Sequence, residues 1–230
     1  MIRLSRILEL KNLTKSFGGL KAVEEVDLEL KRGSVTGLVG PNGAGKTTLF
    51  NLISGFLAPT NGSIYFEGEE ITPWPVHKRV EAGITRTFQG SRVFPGLSVR
   101  ENVITGTYSV ENKEELEEEG SGEDGSGIDW ILEVTKLREY DGYLARNLSY
   151  GYKRRLELAI AIATDPKLIL LDEPFSGTNT FDLGELTNLI RLLSQAGLTV
   201  VLVEHDLGSV AGLADNLVYM DGGRISIPNG

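Results

Sequence analysis

The sequence predicts an α/β fold organised around a parallel sheet, and three observations carry that expectation. Leu168 to Leu171 and Leu198 to Val203 are short, continuously apolar runs, the pattern of strands buried on both faces. Each follows a segment with helical apolar spacing, Ser149 to Ala163 and Leu183 to Leu193, so that helix and buried strand alternate as in right-handed parallel units. Near the N-terminus, Ile7 to Leu13 and Glu24 to Leu30 instead alternate apolar with polar residues at period two, which marks a smaller antiparallel layer with one covered face.

The remaining elements follow in chain order. Between the first two strands, Phe17 stands ahead of two glycines at a tight turn. Ser34 to Val39 reads as a short buried strand, and helical spacing continues from Thr48 to Ile53. Pro59, Thr60, Asn61 and Gly62 form a turn signal that returns the chain to the antiparallel layer over Ser63 to Glu67. Val76 to Ala82 suits a short helix ended by Gly83, followed by the β-branched and aromatic segment Ile84 to Phe88. Ser98 to Ile104 and Ile128 to Arg138 have helical spacing, the second through Trp130, Ile131, Val134 and Leu137. In the helix from Ser149, Leu156, Ala159, Ile160 and Ala163 share one face, with Arg154, Arg155 and Glu157 on the other. Asn216 to Met220 is a third strand of the core.

Composition narrows the function classes. The formal charge of −9 opposes a nucleic-acid-binding surface, and residues 111–127, with eight acids and one lysine, carry −7 of it as an acidic Gly/Ser surface loop. Absence of cysteine excludes disulfides and thiolate metal sites, and two histidines do not make a multi-histidine metal centre. No apolar run reaches the ~20 residues of a membrane span, and MIRLSRILEL lacks a signal-peptide core, so a cytosolic chain is expected.

The chemistry is concentrated in GPNGAGKTT, Gly40 to Thr48, which fits the phosphate-loop pattern G-x-x-x-x-G-K-[ST] at Gly40, Gly45, Lys46 and Thr47. Gly40, Pro41, Asn42, Gly43, Ala44 and Gly45 form a loop whose glycines let backbone N–H groups approach a phosphate closely. Lys46 adds positive charge, Thr47 offers a hydroxyl to Mg²⁺, and Thr48 lies in the first turn of a helix whose positive end meets the anion. Asp172 and Glu173 end the LILL strand, where the first can hold Mg²⁺ through water and the second can orient or deprotonate an attacking water; helix capping is the alternative for such a pair.

The order of GPNGAGKT, Gln89, LSYG, LILLDEP and His205 resembles the nucleotide-binding subunit of an ABC transporter across nearly the whole chain. The resemblance implies one ABC ATPase domain over 1–230: a P-loop NTPase, RecA-like parallel-sheet core with an N-terminal antiparallel β layer from 1–88 and 164–230, and a helical signature subdomain over 89–163. It implies that Phe17 stacks on the adenine of ATP, that Gln89 completes the Mg²⁺ or water shell, and that His205 contacts the γ-phosphate. Ser149 and Gly151 would bind the γ-phosphate held by a second ATPase subunit, identical or not, so hydrolysis would need a dimer. GITRTFQ, RVFPGLSVRENV, RRLELA and VEHD are similar to the ATPase subunits of branched-chain amino acid importers. That implies transmembrane permease partners reached through Arg92, Phe94 and Pro95, an indirect link to a substrate-binding protein, and a place on the cytoplasmic face of the membrane. Tyr152 replaces the family's glutamine and is expected to crowd the partner's nucleotide, and Thr178 and Thr180 flank Asn179 where Leu and Pro are commoner. A soluble ABC ATPase acting on ribosome or DNA and an ATP-binding scaffold with weak turnover are the alternatives.

Overall fold

The computed structural model describes residues 6–87, 93–108 and 127–226. A six-stranded sheet forms the centre, in the order β10 (Arg224–Ser226), β9 (Asn216–Asp221), β3 (Val35–Val39), β8 (Thr199–Glu204), β7 (Leu168–Asp172) and β6 (Ile84–Arg86). Its strands run parallel except β10, which closes the edge by an antiparallel pairing with β9. A second, antiparallel sheet has the order β2 (Leu20–Lys31), β1 (Arg6–Phe17), β4 (Asn61–Phe66) and β5 (Glu69–Glu70).

Every residue of β3, β7 and β8 is buried, yet period two still operates along them. In β7, Leu168 and Leu170 pack with the antiparallel sheet and with α1 (Lys46–Ile53), whereas Ile169 and Leu171 face the helices on the other side. The middle of the central sheet is therefore covered twice, which is why these three strands carry no exposed polar face, whereas β9 and β10 at the edge have exposed positions. The helical side holds α3 (Val99–Thr107), α4 (Gly127–Val134), α5 (Tyr150–Ile162) and α6 (Thr180–Gln195), while the short α2 (Val76–Glu81) precedes β6 and α7 (Leu207–Val210) follows β8. Among the described residues no helix is long and apolar enough to cross a membrane.

Helix starts follow local side-chain chemistry. Ser98 and Glu101 form a reciprocal capping box on α3, and Ser149 caps α5 by accepting from the Tyr152 N–H. Asn179 caps α6: its Oδ1 accepts from the Asp182 N–H at 2.9 Å, and its Nδ2 donates to the Asp182 carboxylate at 2.9 Å. At the C-terminus of α1, the buried Arg79 guanidinium donates to the carbonyls of Leu52 and Ile53, both at 2.7 Å.

Several expectations need correcting. The helix expected to reach Arg138 stops at Val134, because Lys136 adopts a left-handed φ of 57° and the chain then makes a 3₁₀ turn over Arg138–Tyr140. Arg154 and Arg155, expected on the solvent face of α5, are buried, since Glu157 and Asp182 lie within reach as counter-charges. Glu204, expected just beyond its strand, is the last buried residue of β8. Gln89 and Arg92 lie outside the described residues, as does the acidic stretch except Gly127, which opens α4.

Candidate active site

The phosphate loop joins β3 to α1 at the C-terminal edge of the parallel sheet, the side on which open α/β sheets carry their ligands. Its three glycines have different causes. A Cβ on Gly40 would lie 2.0 Å from the Met220 carbonyl oxygen, and one on Gly45, at φ 107°, would lie 2.2 Å from the Ala22 carbonyl oxygen. The close approach of the loop to β9 and β2 by itself requires glycine at those two positions. Gly43 has φ 80° with open space where its Cβ would stand, so its freedom serves the backbone turn.

Pro41, Asn42, Gly43 and Thr47 are exposed, Gly45 and Thr48 half-buried and Ala44 buried. No side chain caps α1, and no acid sits in its first turn, so the positive end of the helix is left for an external anion. Lys46 is buried, with Nζ donating to the carbonyls of Gly40 at 2.5 Å and Pro41 at 2.9 Å. Burial pushes its pKa down, while the charges of Glu173, Asp172 and Glu204 act in the opposite sense.

Parallel registration of β3, β8 and β7 brings the acidic strand ends alongside the loop: Val39 pairs with Glu204, and Val203 with Asp172. His205 Nδ1 is 3.4 Å from the Lys46 ammonium, and its Nε2 is 2.5 Å from Glu173 Oε1. An ammonium only donates, so Nδ1 accepts and the ring proton sits on Nε2, which donates to Glu173. Lys46, His205 and Glu173 thus form a hydrogen-bonded chain. Glu173 itself has φ 50°, a left-handed conformation that costs a non-glycine residue about 1–2 kcal/mol, and its N–H is held by the Val203 carbonyl at 3.1 Å.

Two groups here were not read from sequence. Arg86, on β6, makes a 2.8 Å ion pair with Asp172; both side chains are 5% exposed, and Arg86 also donates to Asn51 Oδ1 of α1 at 2.6 Å. The only sequence signal is one cation within an apolar, β-branched segment. Glu204 accepts from the Phe175 N–H at 3.0 Å, and desolvation raises its pKa, offset in part by that bond.

Phe17 ends β1 and is 48% exposed, with the Lys15 ammonium 5.3 Å from its ring centroid. Ser149 and Gly151 stand at the start of α5. A Cβ on Gly151 would meet the Asp182 carboxylate at 2.4 Å. Tyr152, expected to crowd a neighbouring nucleotide, has its ring folded against Tyr140, 4.3 Å between centroids, with the Arg155 guanidinium 5.1 Å from its own centroid. Phe94 and Pro95 are exposed.

The chemistry of these groups fits a magnesium-bound nucleotide. Among the described residues no cluster of three or more His, Asp or Glu side chains is set to hold a metal. A cation at this site would take one carboxylate, Asp172, one hydroxyl, Thr47, and oxygens of the phosphates, which is how hard Mg²⁺ is usually held beside nucleotides. A buried lysine, an uncapped helix start and a carboxylate pair on parallel strand ends define a P-loop nucleoside triphosphatase.

Comparison with known proteins agrees. Residues 23–176 match the ABC transporter family, and the chain belongs to that family as an ATPase subunit. It is 38% identical over 229 residues to the high-affinity branched-chain amino acid transport ATP-binding protein BraF of Pseudomonas aeruginosa, covering 94% of this chain and 89% of that protein. LivG of Escherichia coli, of the same description, is 36% identical over 226 residues, again 94% and 89%. Among solved structures, the ADP conformation of MJ1267, an ATP-binding cassette of an ABC transporter, superimposes with a TM-score of 0.85 at 32% identity, covering 96% of this chain and 90% of that one. A dimeric post-hydrolysis state of the cassette MJ0796 bound to ADP and Pi gives 0.81 at 26% identity, covering 97% and 100%.

Proposed function

We propose that this ATPase subunit binds MgATP, pairs with a second ATPase subunit, and drives a membrane permease for branched-chain amino acid import from the cytoplasmic face. The observation that carries the catalytic reading is the Lys46–His205–Glu173 chain beside the phosphate loop. Glu173 takes a proton from the attacking water, and His205 fixes the orientation of that carboxylate through Nε2–H. Lys46 exchanges its bonds to the Gly40 and Pro41 carbonyls for phosphate oxygens. Thr47 and Asp172, with Gln89, would hold Mg²⁺, which when bound neutralises charge on the phosphate oxygens. Phe17 stacks on adenine, and Ser149 and Gly151 complete the partner's site at the positive end of α5.

Domain organisation follows the same reading, with residues 89–163 as the helical subdomain that meets the permease through the Gln89 segment and the exposed Phe94 and Pro95. The fold of Tyr152 onto Tyr140 supports turnover over the scaffold reading, because it takes the ring into the helical packing. The lack of a basic balance, with a formal charge of −9, supports transport over action on nucleic acid. Phosphate release by the purified chain and by Glu173→Gln tests the assignment: the variant is expected to lose at least about a hundredfold in turnover while still binding ATP. Equal rates would remove Glu173 from the mechanism.

A further inference from the structure

Tyr150 is the third residue of LSYG, and its hydroxyl makes bonds that helix capping does not need. It donates to the Ser176 carbonyl at 3.0 Å and accepts from Arg154 Nε at 3.1 Å and Nη2 at 2.7 Å. A phenol has one proton and two lone pairs, so this hydroxyl is fully used. Arg154 is buried and is itself fixed by Glu157, at 3.0 Å. The edge of the Tyr150 ring lies over Gly177, where a Cβ would come within 3.3 Å of it and where φ is 71°. Any side chain at 177 would be both strained and in the way of the ring.

Ser176 belongs to the turn directly behind Glu173, and its N–H donates to the Glu173 carbonyl at 3.2 Å. The same turn is tied to β8 through the Phe175 N–H and Glu204. Tyr150 is thus two hydrogen bonds from the backbone of Glu173 and adjacent in sequence to Ser149. Ser149 already caps α5 by itself, so removal of the Tyr150 hydroxyl would leave the helix start intact.

We propose that Tyr150 is a positioning residue for hydrolysis: its hydroxyl couples the start of α5 to the turn behind Glu173, so that the carboxylate of one composite site and the signature residues lent to the other move as one piece. The effect on turnover rests on the composite-site reading above; the coupling itself does not. In the full-length chain, Tyr150→Phe, which removes all three bonds of the hydroxyl, is expected to lower kcat about tenfold with KM changed less than about twofold. Backbone amide exchange over residues 176–178 is expected to quicken about tenfold in the absence of nucleotide, with the thermal midpoint lowered by no more than about 5 °C, since Arg154 keeps Glu157 as a partner. Unchanged exchange overturns the coupling whatever the turnover. Faster exchange with unchanged kcat overturns the catalytic consequence, as does a loss of turnover accompanied by a large fall in thermal midpoint, which would mean general destabilisation. A parent chain without ATPase activity would instead sink the composite-site reading, and the exchange measurement would still decide the coupling.

Discussion

The phosphate loop and the start of α5 are both short, glycine-containing approaches to a helix, but they are held in place by different means. Around Gly40 and Gly45 the restraint is backbone against backbone: the carbonyls of Met220 and Ala22 stand where a Cβ would be. Around Gly151 and Tyr150 it is side chains, namely the Asp182 carboxylate, the Tyr150 hydroxyl and the Arg154 guanidinium. Backbone walls are set by the sheets and cannot yield separately, whereas the Asp182 carboxylate beside Gly151 is the far end of a flexible side chain and can shift. The difference separates a loop fixed by backbone walls from a helix start held by side chains.

The largest expected effect on stability probes the charge beneath the rigid side. Arg86→Met leaves Asp172 buried without its cation and is expected to destabilise by about 3–5 kcal/mol in urea titration, most of which the double variant with Asp172→Asn recovers. If the single variant were as stable as the parent, the Arg86 contact would not be what holds Asp172. Gly40→Ala comes next, at about 3 kcal/mol, because the Met220 carbonyl cannot move aside without β9. Gly151→Ala should cost less than about 1 kcal/mol, since the Asp182 carboxylate can swing away and alanine gains helix propensity. Similar losses for the two alanine variants would break the distinction between the regions.

Ser149→Ala should lower stability by about 0.5 kcal/mol, the small end of capping effects, because its bond to the Tyr152 N–H is long at 3.5 Å. The smallest effect belongs to the wall behind Gly45. Arg224, foremost, and Lys21 hold the Glu24 carboxyl pKa down at about 2. Since its folded pKa is depressed, the stabilising contribution is present above the ordinary carboxylate range and is lost as pH falls from about 4.5 towards 2. Acid titration of Glu24→Gln should therefore show a slightly shallower loss of stability over that window.

The contrast also explains what was legible in the sequence. The phosphate loop, Asp172 and Glu173 could be read because each is a required residue type at a fixed place relative to a strand end, His205 entered only through the resemblance in motif order, and β7 and β8 announce themselves by continuous apolar runs. Parallel pairing then brings them together with no further information. Arg86, Glu204 and the Tyr150–Ser176 contact were not legible, because each depends on a partner remote in sequence: 86 positions separate Arg86 from Asp172, and 26 separate Tyr150 from Ser176. The end of α4 was missed because apolar spacing continues to Leu137, while the left-handed turn at Lys136 is set by tertiary packing that local propensity does not contain. The burial of Arg154 and Arg155 was missed for a similar reason, since a buried arginine looks like a surface one until its carboxylates are known.

The proposed function joins the rigid cradle of one subunit and the helix start of another into one site. Mixing two variants tests it most directly: Glu173→Gln, which keeps the helix start, and Ser149→Phe, which keeps the cradle. Each alone should release little phosphate from ATP. Together they should recover turnover, because in a mixed pair one site joins an intact Glu173 to an intact Ser149. If the mixture were no more active than the sum of its components, while both variants still bind ATP and pair, the site would be complete within a single chain and the account would be wrong.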